Sequence, residues 1–151
     1  MKMKTMMWMS TLALAAVLPP TPIAGQTAED RAGVERAAMN YLEGFYEGDA
    51  DKIRAGVHPE VVKVGYFAGQ DGEYRRAPMS FDEMIQFADR VKAEGEFPAE
   101  DAPKEAEILE VLDKVAAAKV VAWWGVDYLH LVKLEGEWKI LHVIWQSPPR
   151  G

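Results

Sequence analysis

Three side chains in this cysteine-free chain could do chemistry: the phenol of Tyr41 and the imidazoles of His58 and His130. A phenol aimed into a pocket donates a hydrogen bond to oxygen that is gaining negative charge, and an imidazole titrates near neutrality, so it serves as acid or base. The combination suits isomerisation, dehydration or hydrolysis of a carbonyl compound. Each residue also has a plainer reading. Tyr41 falls on an apolar helical stripe, His58 precedes Pro59 at a helix end where capping groups are common, and His130 stands among apolar neighbours, as hydrogen-bonded core histidines do. Other arrangements are poorly supplied. Ser10, Ser80 and Ser147 read as leader, cap and tail residues, so no triad nucleophile is placed. Without HExxH or His-x-His spacing, and with His142 expected on the face opposite His130, no metal is expected, and no cofactor.

The elements that must position these groups centre on residues 120–146, VVAWWGVDYLHLVKLEGEWKILHVIWQ, two or three antiparallel strands. Glu135-Gly136 is a two-residue hairpin loop between runs rich in Val, Ile, Leu, Tyr and Trp. Closing it sets a register: Leu134 opposite Glu137, Val132 opposite Lys139, His130 opposite Leu141, Tyr128 opposite Val143 and Val126 opposite Trp145, all on one face. Asp127, Leu129, Leu131 and Lys133 then share the other face with Trp138, Ile140, His142 and Ile144. Both faces are largely apolar, so one is expected beneath helices and the other against a second subunit.

Upstream, Thr27 caps a helix whose stripe is Val34, Ala37, Ala38, Tyr41, Leu42 and Phe45, and Gly48-Asp49 opens a shorter one. Residues 60–68 read as a strand and 74–77 as its hairpin arm across the Gln70-Asp71-Gly72-Glu73 turn. Ser80, with Glu83 three residues on, begins a third helix with a capping box. Residues 93–104 are an acidic surface loop, 105–113 a strand, and Lys114 to Ala118 a turn or short bridge.

The whole chain is 151 residues with a net charge of −7 and a pI near 5.0. That length suits one domain, 26–151, and the acidic balance argues against a nucleic-acid partner. Residues 1–25 read as a signal peptide: Lys2 and Lys4, an apolar run from Met6 to Leu18, then Pro19-Pro20 and small residues. The run is short for a bilayer span, so a periplasmic or secreted protein with no membrane association after cleavage is expected.

The element order, with Tyr41-Leu42-Glu43-Gly44, Gly48-Asp49, His58-Pro59-Glu60, Asp127-Tyr128-Leu129, Leu131-Val132-Lys133-Leu134 and Gly136-Glu137-Trp138-Lys139-Ile140, resembles the NTF2-like superfamily. Within it, the chain is similar to the SnoaL-like and Putative lumazine-binding families. The resemblance spans about Glu29 to Gln146. It implies an α+β cone, a curved antiparallel sheet wrapped around three N-terminal helices, whose open end is a pocket. Such cones host enzymes, binding proteins and inactive partners alike. Placed against the ketosteroid isomerase relatives, Tyr41 takes the position of the oxyanion-hole tyrosine, His130 that of the protonated aspartic acid and Trp145 that of a pocket tryptophan. The general base falls on or beside Gly65, where a slip of one or two residues brings in Lys63 or Tyr66 and no carboxylate. Steroid isomerisation is therefore set aside.

The leading expectation is a cone that binds a small, partly apolar or aromatic molecule in a pocket lined by Tyr41, Phe45, His58, Tyr66, Trp124, Tyr128, His130 and Trp145. One alternative is an acid/base enzyme using Tyr41 with His130 or His58. Another is a non-catalytic protein-interaction module, marked by a filled cone and an exposed patch of Leu129, Leu131, Trp138, Ile140 and Ile144. That patch also predicts a homodimer through the outer sheet face.

Overall fold

The computed structural model describes residues 27–150, so the leader expectation for residues 1–25 lies outside the described residues. The first helix, α1 (Ala28–Glu47), opens on Thr27, whose hydroxyl accepts from the Asp30 amide, and closes on Gly48 at φ 64°. A left-handed residue there lets the cap amide return to the Gly44 carbonyl. Helix α2 (Ala50–Gly56) is capped by Asp49, and α3 (Phe81–Glu94) by the Ser80–Glu83 capping box read from the sequence.

Six strands follow the expected order: β1 (Val57–Ala68), β2 (Tyr74–Met79), β3 (Glu105–Val111), β4 (Val115–Ala122), β5 (Gly125–Leu134) and β6 (Glu137–Gln146). They form one curved, unclosed sheet in the order β2-β1-β6-β5-β4-β3. The sheet is mixed, because β1 runs parallel to β6 while the other neighbours are antiparallel. This amends the all-antiparallel expectation: β6 returns from the far hairpins to lie beside β1 in the same direction. Residues Val115 to Ala118 are strand rather than bridge. Their pairing with Val132 to Leu129 overrides the weak strand preference of alanine, and Ala116 and Ala118 are buried in the core.

The hairpin at Glu135-Gly136 has both residues at positive φ, 50° and 88°, as a tight type I′ turn needs. The derived register holds from Leu134–Glu137 to Val132–Lys139 and Leu131–Ile140, then slips. Leu141 is an extra residue in β6, so His130 faces His142, Tyr128 faces Ile144 and Asp127 faces Trp145. A bulge of one residue reverses the side-chain phase beyond it.

Two expectations fall, the first because the face of Leu129 and Leu131 is the one under the helices, the second by that reversal. Leu129, Leu131, Trp138 and Ile140 do not form an outer patch; they lie under the helices in the core with Val34, Tyr41, Leu42, Ile53, Met84 and Val143. Of the proposed dimer surface, Ile144 alone is exposed. And His130 and His142 share the outer face, their rings 6.2 Å apart, rather than pointing to opposite sides. Lys133, expected beside a neighbour of Asp127 or a partner chain, instead meets Asp30 at 2.5 Å. The indole of Trp138 donates to the same carboxylate, tying the start of α1 to the last hairpin.

Candidate functional site

The third helix and the tail leave a cavity of about 470 Å³ at the open end of the sheet. Its walls are Phe45 from α1, Lys63 and Phe67 from β1, Met79 at the end of β2 and Phe87 from α3, with Trp145 from β6. Trp123 and Trp124 contribute from the β4–β5 turn, and residues 147–150 cross the mouth. The two tryptophans are there because Ala122 pairs with Gly125, leaving Trp123-Trp124 as the two loop residues. Tyr46 anchors that turn from α1: its hydroxyl accepts from the Trp123 amide at 2.9 Å and donates to the Pro103 carbonyl. The aromatic walls meet edge to face, Phe45 with Trp124 at 5.4 Å and Phe45 with Phe87 at 5.5 Å.

At the floor of this apolar space lies a buried polar chain. The ammonium group of Lys63 donates to the hydroxyl of Tyr41, and Tyr41 donates to Asp127 Oδ2 at 2.5 Å. Lys63 Nζ is itself 3.5 Å from that oxygen, and Trp124 Nε1 donates to Asp127 Oδ1 at 2.7 Å. Lys63, Tyr41 and Asp127 are all buried, yet they come from β1, α1 and β5. The Lys63 nitrogen also stands over the rings of Tyr41 (4.9 Å), Phe45 (5.3 Å), Trp145 (5.6 Å) and Trp124 (5.7 Å). Such a cage favours the cation. Burial acts against it and lowers the Lys63 pKa, with the Asp127 charge opposing that fall. Burial, then the Asp127 carboxylate, pushes the Tyr41 phenol well above its ordinary value, so Tyr41 stays a neutral donor across the working pH range.

Trp145 is held by a glycine. Its ring lies against Gly65, its partner in the β1–β6 ladder, in the space that any β-carbon at 65 would take. The indole N–H is buried there with no hydrogen-bond partner among the described residues.

Of the eight pocket residues expected from sequence, Phe45, Trp124 and Trp145 line this cavity, and Tyr41 stands behind Lys63. The other four lie elsewhere. His130 and Tyr128 are exposed on the outer face, because β5 turns the alternate residues Asp127, Leu129 and Leu131 to the helices, and Tyr66 is exposed at 42%, in a groove shared with Tyr128 and Ile144. His58 is half-buried, its Nδ1 accepting from the Glu60 amide of its own chain at 3.2 Å. An acid/base scheme built on His130 or His58 therefore has no histidine in the cavity. The acid that meets Tyr41 is Asp127, three residues before His130 in the chain. Among the described residues no group of three histidine or acidic side chains is placed to hold a metal ion. The marks expected of a pure interaction module, a filled cone and the Leu129 patch, are replaced by an open cavity and a buried core.

The sequence reading assigns no pocket role to Lys63, Asp127, Phe67 or Phe87, although a slip at the general-base position brings Lys63 in. A signal for Lys63 was present: it alternates with Val61 and Gly65, two positions whose phase is inward.

A curved α+β sheet packed on three helices, with an aromatic cavity at its open end, defines an NTF2-like domain. Solved structures with this fold include NTF2-like proteins of unknown function from Silicibacter pomeroyi and Shewanella baltica. The first is 18% identical with a TM-score of 0.64, covering 82% of this chain and 99% of its own. The second is 19% identical with a TM-score of 0.61, covering 83% and 99%. A protein with a cystatin-like fold from Nostoc punctiforme, 15% identical, has a TM-score of 0.56 over 83% of this chain and 96% of its own. The chain belongs to the Putative lumazine-binding family, whose model matches residues 29–146. Aldolase FrzH from Cladobotryum sp is 25% identical over 136 residues, covering 82% of this chain and 96% of the relative.

Proposed function

We propose that this domain binds a small, partly aromatic molecule carrying a carbonyl group, ring against the tryptophan walls and oxygen toward Lys63. The observation that carries the reading is the pairing of a mostly apolar cavity of about 470 Å³ with one buried, hydrogen-bonded polar chain at its floor. Pockets for small molecules have this composition, apolar walls for affinity and a few fixed polar groups for orientation. The family's description points the same way. The test uses lumazine and 2-acetylnaphthalene as probes, both flat and carbonyl-bearing. Saturable quenching of the emission of Trp123, Trp124 and Trp145, with one molecule retained per chain in native mass spectra, is the expected result. Met79→Trp, which fills the cavity, should abolish it while the fold is kept. Binding unchanged in Met79→Trp would refute the reading.

A second reading is favoured by a specific observation, the Lys63–Tyr41–Asp127 chain: turnover of the carbonyl compound rather than storage. Three titratable side chains in one hydrogen-bonded row, two of them pushed from their ordinary pKa values, are the marks of acid/base chemistry. Similarity to an aldolase supports carbonyl chemistry. Export belongs to the same proposal, with residues 1–25 removed, and is tested by N-terminal sequencing of the protein from its own host. A homodimer, if formed, uses the true outer face around Val62, Tyr128 and Ile144, all more than half exposed, and sedimentation at micromolar concentration decides it.

A further inference from the structure

We propose that Lys63 forms a covalent imine with the carbonyl carbon of an aldehyde or ketone held in the cavity. This rests on the carbonyl-binding reading and adds a nucleophile to it. Three features of placement carry it. Lys63 is the lysine that lines the aromatic cavity, and its nitrogen sits where Phe45, Trp124 and Trp145 converge. Its nearest hydrogen-bond partner is a neutral phenol, and its counter-ion, the Asp127 carboxylate, stands farther off at 3.5 Å. And a lysine desolvated in an apolar pocket is the form in which amines attack carbonyls. Burial, by lowering its pKa, enlarges the fraction of free amine, about tenfold for each unit of the fall while the group remains mostly protonated.

The step balances without any further reagent. The nitrogen lone pair forms the N–C bond as the carbonyl π pair moves to oxygen. Both amine protons end on that oxygen, which leaves as water, and the C=N bond remains. Tyr41 accepts each proton from the nitrogen while its own passes to Asp127, and the shift then reverses to deliver that proton to the oxygen that leaves as water. Tyr41 and Asp127 are positioning and proton-relay residues in this scheme.

The test is reductive trapping. The full mature chain is incubated at neutral pH with 2-naphthaldehyde and cyanoborohydride, which reduces imines to stable secondary amines, and the adduct is mapped by peptide mass spectrometry. One naphthylmethyl group on Lys63, appearing about tenfold or more faster than on an exposed lysine such as Lys114, is expected. Lys63→Arg and Lys63→Met should lose the fast phase, with circular dichroism reporting whether each folds. Tyr41→Phe, which keeps the amine, should keep the site of labelling but slow it and alter its pH profile. Label spread evenly over surface lysines, or fast labelling that survives Lys63→Arg, overturns the proposal. Saturable binding of 2-acetylnaphthalene with no adduct on Lys63 overturns the imine and leaves the binding reading standing. Absence of both binding and adduct overturns the two together.

Discussion

Replacing Asp127 by asparagine keeps the shape of the side chain and removes its charge, and the surroundings make that exchange costly. Asp127 is fully buried and accepts from Tyr41 at 2.5 Å and from Trp124 Nε1 at 2.7 Å, with Lys63 Nζ at 3.5 Å. An amide has one accepting and one donating end. With its oxygen toward Tyr41, its NH₂ group faces the indole N–H of Trp124, donor against donor. Turned over, the NH₂ faces a phenol that already receives the Lys63 proton, and the phenol loses its acceptor. In both orientations the charge on the buried Lys63 is left without its counter-ion against largely apolar walls. Breaking a buried pair from one side costs about 3–5 kcal/mol. For a domain of this size that lowers Tm by more than ~10 °C. Urea unfolding followed by tryptophan emission measures it, the midpoint falling while the slope stays constant. The double variant Lys63→Met/Asp127→Asn removes the stranded charge, so it should recover about 2 kcal/mol relative to the sum of the single changes. A single Asp127→Asn variant within ~0.5 kcal/mol of wild type, or strict additivity in the cycle, would refute the argument.

Three further outcomes follow from the same geometry. Lys63 is held below its unfolded pKa, so the unfolded chain binds more protons between the lowered folded value and about 10.4; stability should rise with pH across that window, and the rise should vanish in Lys63→Met when urea midpoints are compared at neutral and alkaline pH. Above about pH 10 the raised Tyr41 value reverses the sign, because the unfolded phenol ionises first. Gly65→Val should cost about 1–3 kcal/mol by driving the Trp145 ring from its seat, with a red shift in emission that a merely local strain would not give. His130→Ala, on the exposed outer face, should change stability by less than ~0.5 kcal/mol and leave probe binding intact; a loss of binding there would show that the cavity is not the site.

What the chain discloses locally it discloses well. Capping residues at Thr27, Asp49 and Ser80, the Glu135-Gly136 turn and the apolar stripe of α1 act over three or four residues, and each is read from the sequence as it stands in the structure. The bulge at Leu141 is different in kind. Ile140, Leu141, Val143 and Ile144 are all apolar, so both phases of β6 look equally fit to be buried, and nothing in the pattern marks which residue is extra. One unmarked residue then parted Trp145 from the face of His130 and turned His142 and Ile144 outward; which face of β5 lies under the helices is a separate choice, because both carry apolar residues. Lys63 was obscured for another reason: a single lysine in a strand is ordinarily a solvated one, and only long-range contacts from α1 and β5 make this one a buried group.

The bulge also explains why the site exists. Beyond Leu141, Trp145 stands between Gly65 on β1 and Asp127 on β5 in one row across three strands, and Val143, in the next row, lies beside Lys63. Without the extra residue Trp145 would oppose Val126 and point outward, and Ile144 would take the inward place opposite Asp127. With it, the ring folds over the one row position that lacks a side chain, and the row beside it places Lys63 under the same aromatic roof. The glycine, the bulge and the lysine are thus parts of a single arrangement. A side chain at 65 should disturb Lys63 reactivity as well as stability, which ties the trapping experiment to a residue that carries no chemistry of its own.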